Sequence, residues 1–298
     1  MTFLPKPAKP YPTWAKFVQA LHTHGLSIKN MDTAALNLAL VEIPGLIFDA
    51  MSQRNEAKVI RPSAFLACAR QTFYAHQGQP SGDMPDNIGT TFAIGHVLHQ
   101  LSYAALQSAM PPGFVGFYEL PVTLPDWWPK DAMKYNQKGT VDTLLKVTDS
   151  EVAADYLAAD VIEAHPKQLV DFKSMGGFGF KKHGKALFDH DPDGFGYISQ
   201  LTVYADSPGV DCLGSGAIMA GINRDSLTQP LKPRLVTADV LEAEKARLIA
   251  AFEAAANQED PGEEFLMRHD DAANFFCGRG SGKGYCAFKE VCREQPSR

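Results

Sequence analysis

Asp142 lies in "GTVDTLLKV", and Asp171 and Lys173 lie in "QLVDFKS". Both stretches have the apolar, β-branched pattern of strands. If those strands are neighbours, both carboxylates can enter one cleft. Two desolvated carboxylates repel unless a cation neutralises them. Mg²⁺ or Mn²⁺ does this through oxygen ligands. Asp171 and Lys173 are two apart on a strand, so their side chains share a face. The ammonium then faces the same place as the ion, where it can hold a phosphate, orient a water or stabilise developing negative charge. The same D-x-K pair also makes a plain salt bridge at a strand end, and these residues alone leave that alternative open.

Other side chains stand at usable spacings. His99 lies in "GHVLHQL", off the apolar stripe expected of a helix over 88–109 through Ile94, Leu98, Leu101 and Ala105. His96 and Tyr103 are off that stripe too. Gln200 and Tyr204 are four apart, and Tyr197 is three before Gln200, so one helix face carries all three. After Lys173 comes "SMGGFGFKKHGK", read as a glycine-rich loop. Its Phe178 and Phe180 suit stacking on unpaired bases, and its Lys181, Lys182 and Lys185 suit a phosphate backbone. A solvated surface loop is the other reading. The stretch lacks the strand–G-x-x-x-x-G-K-[ST]–helix form of a nucleotide-binding loop, which excludes an ATPase of that kind.

The elements that must position these residues follow from period and punctuation. A helix over 60–77 opens at Ser63. Strands cover 115–124, 139–147 and 168–174. A helix covers 194–206, a fourth strand 212–222, and an acidic, alanine-rich helix 237–257. This order predicts an α/β fold, a mixed sheet flanked by helices. The expected organisation is an N-terminal extension over 1–59 and one domain over 60–298.

Composition sets the outer limits. The chain has 298 residues, 45% hydrophobic and 21% charged, which is the balance of a soluble globular protein. Its net charge of −6 argues against a surface that binds nucleic acid everywhere, and leaves room for one basic strip. No apolar run approaches the roughly 20 residues that span a bilayer. The first residues, "MTFLPKPAKPYPTWAKF", do not read as a secretory signal, so a cytoplasmic protein with no membrane partner is expected. Of five cysteines, three (Cys277, Cys286 and Cys292) fall in the last 22 residues. An odd count without an export signal argues against a disulfide framework.

The order of these motifs resembles the RecB-like branch of the PD-(D/E)xK nucleases, especially its iron–sulfur members. "RPSAFLACARQTFY" is similar to the opening helix that carries one cysteine, here Cys68. "GHVLHQL" matches G-x-x-x-H, with Gly95 and His99. "GTVD" supplies Asp142, "VDFKS" the D/E-x-K motif, "QLTVY" the Q-x-x-x-Y motif, and "YCAFKEVC" the closing C-x5-C. The resemblance covers about residues 60–292. Three features depart from the pattern: eight residues separate Cys277 from Cys286, Gln100 follows the motif histidine, and the span between Asp142 and Asp171 is long.

The resemblance implies a restriction-endonuclease-like fold and hydrolysis of DNA with Mg²⁺ or Mn²⁺, in repair, recombination, phage or CRISPR-type processing. It favours an exonuclease on single-stranded ends. His99, Asp142, Asp171 and the Phe172 carbonyl would hold the metal. Lys173 would orient water or stabilise charge, and Gln200 and Tyr204 would place the strand and brace Lys173. Cys68, Cys277, Cys286 and Cys292 give four thiolates, which suit a 4Fe–4S cluster or tetrahedral zinc; the resemblance favours iron–sulfur. Cys212 is left over as a buried apolar residue. A helicase or recombination partner would be a separate chain. A non-catalytic DNA-end-binding or scaffolding subunit is the alternative function.

Overall fold

The computed structural model describes residues 4–25, 31–52, 59–63, 68–79, 88–183, 196–226, 232–261, 286, 288 and 291–292. Five strands form one mixed sheet in the order β1-β2-β3-β4-β5. They are β1 (Phe114–Thr123), β2 (Lys138–Val147), β3 (Lys167–Met175), β4 (Ala217–Asn223) and β5 (Lys232–Val236). The β3–β4 pair is parallel and the other three pairs are antiparallel. A parallel pair needs a crossover. Helices α7 (Gly177–His183) and α8 (Tyr197–Ala205) lie between β3 and β4 in the chain.

Two apolar layers cover the sheet. On one face, α1 (Trp14–Ala20), the π-helical turn Leu21–Gly25 and α4 (Ile88–Ala109) bury Trp14, Phe17, Leu21, Leu98 and Leu106 against Leu145, Val170, Phe172 and Ile218. Helix α2 (Thr33–Ser52) packs on α4. On the other face, α8 and α9 (Ala238–Ala256) bury Ile198, Leu201, Tyr204, Leu241 and Phe252 against Val141, Leu169 and Met219. Helix α3 (Ala69–His76) rests on α9, where Arg70 pairs with Asp260 at 2.6 Å. The short α5 (Ser150–Ala153) and α6 (Ala159–Ala164) fill the long span between Asp142 and Asp171. Among the described residues no helix is long and apolar enough to cross a membrane.

Most expected elements are present, and three expectations need correction. The helix expected over 60–77 begins at Ala69. The Ile60 amide donates to Lys134 at 2.7 Å and its carbonyl accepts from Asn136 at 2.9 Å. Both groups are therefore committed to a β-bridge with Tyr135. In α4 the buried stripe is turned from the expected one: Ile94 is 44% exposed, whereas Tyr103 is buried against the sheet. The stretch after Lys173, read as a loop, includes α7.

Regular alternation breaks at one place. In a strand, residues two apart share a face. Tyr118 and Leu120 nevertheless pack into opposite layers, and so do Leu145 and Val141 on β2. The pairs on either side, Tyr118↔Thr143 and Leu120↔Val141, keep one register across the change. Glu119 sits between these pairs with φ 48°, a left-handed backbone that costs a non-glycine residue roughly 1–2 kcal/mol. The reversal turns the strand over, and Asp142 lies opposite the turning point.

Candidate active site

Asp142, Asp171 and Lys173 come together where the β2–β3 ladder opens. The last registered pair there is Thr143↔Val170. Beyond it, the Asp142 side chain replaces the strand backbone: the Phe172 amide donates to Asp142 Oδ2 at 2.8 Å. Asp142 thus stands between the two faces of the sheet. His99 of α4 approaches it from one face, with Nδ1 3.7 Å from Asp142 Oδ2, beyond hydrogen-bond length. From the other face, Lys173 Nζ reaches Asp171 Oδ1 at 3.1 Å and Oδ2 at 2.9 Å.

Helix α8 holds the lysine. Lys173 Nζ donates to Gln200 Oε1 at 2.8 Å and lies 5.0 Å from the Tyr197 ring centroid, a cation–π distance. A side-chain hydrogen bond links Gln200 to Tyr204. Tyr204 crosses β2 at Gly139, where a Cβ would stand 2.5 Å from its ring, so only glycine admits the tyrosine there. The spacing of Gly139 and Asp142 in "GTVD" therefore has a packing cause.

Burial dominates the electrostatics. It pushes the Asp142 carboxyl up to about 6, against the pull of Lys173 and the Phe172 amide. It pushes Asp171 to about 6 as well, again opposed by Lys173. Burial disfavours the Lys173 charge, but Asp171 and Asp142 outweigh it and hold the ammonium above the ordinary lysine range. Burial and then Lys173 lower His99 to about 4, so its imidazole is neutral at pH 7. Burial raises the Tyr204 phenol to about 12. At neutral pH the group is two carboxylates, one ammonium and one neutral imidazole.

Asp171 is 1% exposed, yet its Oδ2 accepts no hydrogen bond within the described residues, because Lys173 is close but misaligned for that atom. Among the described residues no group of three or more His, Cys, Asp and Glu side chains stands ready to hold a metal. Mg²⁺ does not require one: it commonly keeps several waters and takes one or two carboxylates. Two neighbouring carboxyls, both raised by burial, fit that demand.

The other expected residues fare unevenly. Phe180 is 1% exposed with Lys232 Nζ 4.8 Å from its ring centroid, so it packs under β5 and is not available to stack a base. Lys181 is exposed. The side chains of Phe178 and Lys182, and all of Lys185 and Cys277, lie outside the described residues. Cys68 is the buried N-cap residue of α3. Cys286 and Phe288 pack on Tyr74 of α3, with Val291 and Cys292 beside them. Arg70 Nη1 lies 3.8 Å from Cys292 Sγ. Cys212 is buried beside α8, apart from that group. The early helix and the described part of the tail therefore meet. Sequence reasoning missed Glu119: the Tyr103 hydroxyl, on the sheet side of α4, donates to Glu119 Oε1 at 3.0 Å.

No family model and no curated protein matches the chain. Among solved structures, the crystal structure of SSO0001 is similar at a TM-score of 0.40 and 12% identity, over 87% of this chain and 98% of that one. A likeness at that level decides neither fold family nor activity.

Proposed function

We infer that the chain is a metal-dependent deoxyribonuclease with a restriction-endonuclease-like core, resembling the iron–sulfur RecB-like PD-(D/E)xK enzymes, and that it removes nucleotides from single-stranded ends. One observation carries this reading: Asp142, Asp171, Lys173 and Gln200, from three elements, converge at an opened strand pair, with the buried Asp171 carboxylate ion-paired to the Lys173 ammonium. A surface salt bridge explains neither the burial nor the opened ladder.

Asp142, Asp171 and the Phe172 carbonyl are the groups that would hold Mg²⁺ or Mn²⁺, with neutral His99 beside them. The ion, when bound, polarises the phosphate and makes a bound water more acidic. Lys173 stays protonated, so it is not the general base; its ammonium stabilises the charge that grows on the phosphate oxygens. Gln200 and Tyr197 keep that ammonium aimed, and Tyr204 fixes Gln200. Lys181, which is exposed, would meet the strand's phosphates. Cys68, Cys286 and Cys292, with Cys277, would hold a 4Fe–4S cluster, or zinc, tying α3 to the tail. The packing of Cys286 on the helix that Cys68 opens supports the tie between the two segments, while among the described residues Cys68, Cys286 and Cys292 do not by themselves form a metal-holding group.

The pH dependence follows from the two carboxyls. Each has a pKa near 6, so below that pH each carries a proton that the metal must displace. At limiting Mg²⁺, cleavage is expected to fall on the order of a hundred-fold between pH 7 and pH 5, and excess Mg²⁺ should restore it. A flat profile at limiting metal would show that protons and metal do not compete there.

A free end is part of the proposal. A linear single strand should be degraded in Mn²⁺ while a closed circular strand of the same sequence survives. Rapid cutting of circles would make the enzyme an endonuclease, and binding of the linear strand alone, without cutting, would favour an end-binding scaffold.

A further inference from the structure

Helix α2 carries apolar residues on two opposite sides. One side packs on α4: Ala39 is buried, and Ala35, Ile43 and Ile47 are half-buried. With 3.6 residues per turn, Ala34, Leu38, Val41, Gly45 and Phe48 fall on the other side, and all of them are exposed. Val41 is 77% and Phe48 71% exposed. Their spacing alternates between four and three residues, the repeat by which two helices pack along one seam. Nothing lies within 4 Å of where a Gly45 Cβ would stand, so the seam has a hollow between Val41 and Phe48. Both borders of the seam call for positive charge and hydrogen-bond donors. Glu42 and Asp49 each follow a seam residue, which places them along one border. Pro44 stands on the other border; it has no amide hydrogen, so the Leu40 carbonyl lacks its usual donor four residues on. Helix α2 has no lysine, arginine or histidine.

We propose that this seam docks an amphipathic helix of another protein, one with an aliphatic ridge toward α2 and lysine or arginine along its flank. The seam sets the ridge: Leu38, Val41 and Phe48 project from an exposed face, and the hollow at Gly45 receives a side chain of the partner, as in other recognition of helices by apolar surfaces. The acids set the flank, because charges along such a seam choose the partner. A second copy of this chain supplies no positive charge, since α2 against α2 brings acids only. The same acids repel an anionic bilayer. Nothing in this docking depends on the chemistry of the candidate active site.

Two fluorescent helical peptides of about three heptads test it, by anisotropy with the full chain. Both carry leucine at the same three-four spacing; one has lysines along its flank and the other glutamates. The lysine peptide should bind about ten-fold more tightly at low salt. Val41→Ser with Phe48→Ser should lose that peptide at an unchanged melting temperature, because both side chains face water in the free protein. Glu42→Lys with Asp49→Lys should reverse the preference between the peptides. Equal binding of both peptides, or of neither, would overturn the proposal, and so would an unchanged preference in the charge-swapped variant. A dimer of the parent in sedimentation, dissolved by Val41→Ser with Phe48→Ser, would give the seam to a second copy instead. Retention of the parent, but not of that variant, on phosphatidylcholine vesicles would give it to a bilayer.

Discussion

Asp171→Asn and Asp142→Asn should each extinguish DNA cleavage in Mg²⁺ or Mn²⁺, by about a thousand-fold or more, while the protein stays folded. A metal's hold on a phosphate is worth several kcal/mol in the transition state, and each 1.36 kcal/mol is ten-fold in rate. The asparagine variants are chosen because they preserve shape. In Asp142→Asn the side-chain amide oxygen can still accept from the Phe172 backbone amide, so the opened ladder persists while the charge disappears. Asp171→Asn keeps a neutral partner for Lys173 but removes its ion pair. Lys173→Ala should cost a similar factor by a different route: both acids remain to bind metal, and the ammonium beside the phosphate is lost. Mn²⁺ titration distinguishes the two cases, because only the aspartate variants should bind the ion poorly. Cleavage by Asp171→Asn at the parent's rate would remove the carboxylates from the chemistry.

The acids and the lysine were legible because strands announce themselves by period. Val170 and Phe172 alternate with Asp171 and Lys173, so the sequence itself places the acid and the ammonium on one face. Helix α4 was legible from apolar recurrence, and α9 from its acidic, alanine-rich composition. Other elements were hidden for identifiable reasons. Helix α2 contains Pro44 followed by Gly45, two residues of poor propensity for a helix interior. Strand β5 is five residues long and contains Pro233; it sits at the sheet edge, where proline is tolerated. Helix α7 is built from "GFGFKKH", and its glycines suggested a loop; tertiary packing of Phe180 and His183 against β4 and β5 overrode propensity. Glu119 gave no signal at all. A left-handed residue is expected to be glycine, asparagine or aspartate, and nothing in "FYELPV" marks a strand that turns over. The site was thus readable as a set of residue types, while the device that lets Asp142 face both layers was not.

The second large effect concerns the cysteines. Protein purified without oxygen should be brown and contain iron, and Cys286→Ser should bleach it and lower its melting temperature sharply. Cys286 lies buried with Phe288 on Tyr74, and Cys68 begins the same helix. Four thiolates binding one cluster would close a loop of more than 200 residues between α3 and the tail, and binding energy of that kind becomes folding energy. Arg70 already crosses this region, pairing with Asp260 and approaching Cys292, so loss of the cluster should loosen α9 as well as the tail. Cys212→Ser supplies the control: Cys212 is buried beside α8, away from this group, and its replacement should leave the colour unchanged. Colourless protein with one zinc per chain would keep the tie and replace the cluster. Metal-free protein with an unchanged melting temperature in Cys286→Ser would remove the tie altogether.

The most direct test of the central claim is the fate of an end-labelled linear single strand of DNA incubated with the purified chain. The account predicts progressive loss of the strand in Mn²⁺ or Mg²⁺ and none in chelator, with Asp171→Asn inactive in both. A strand that is bound but intact under every metal condition, or one degraded equally well in chelator, would contradict it.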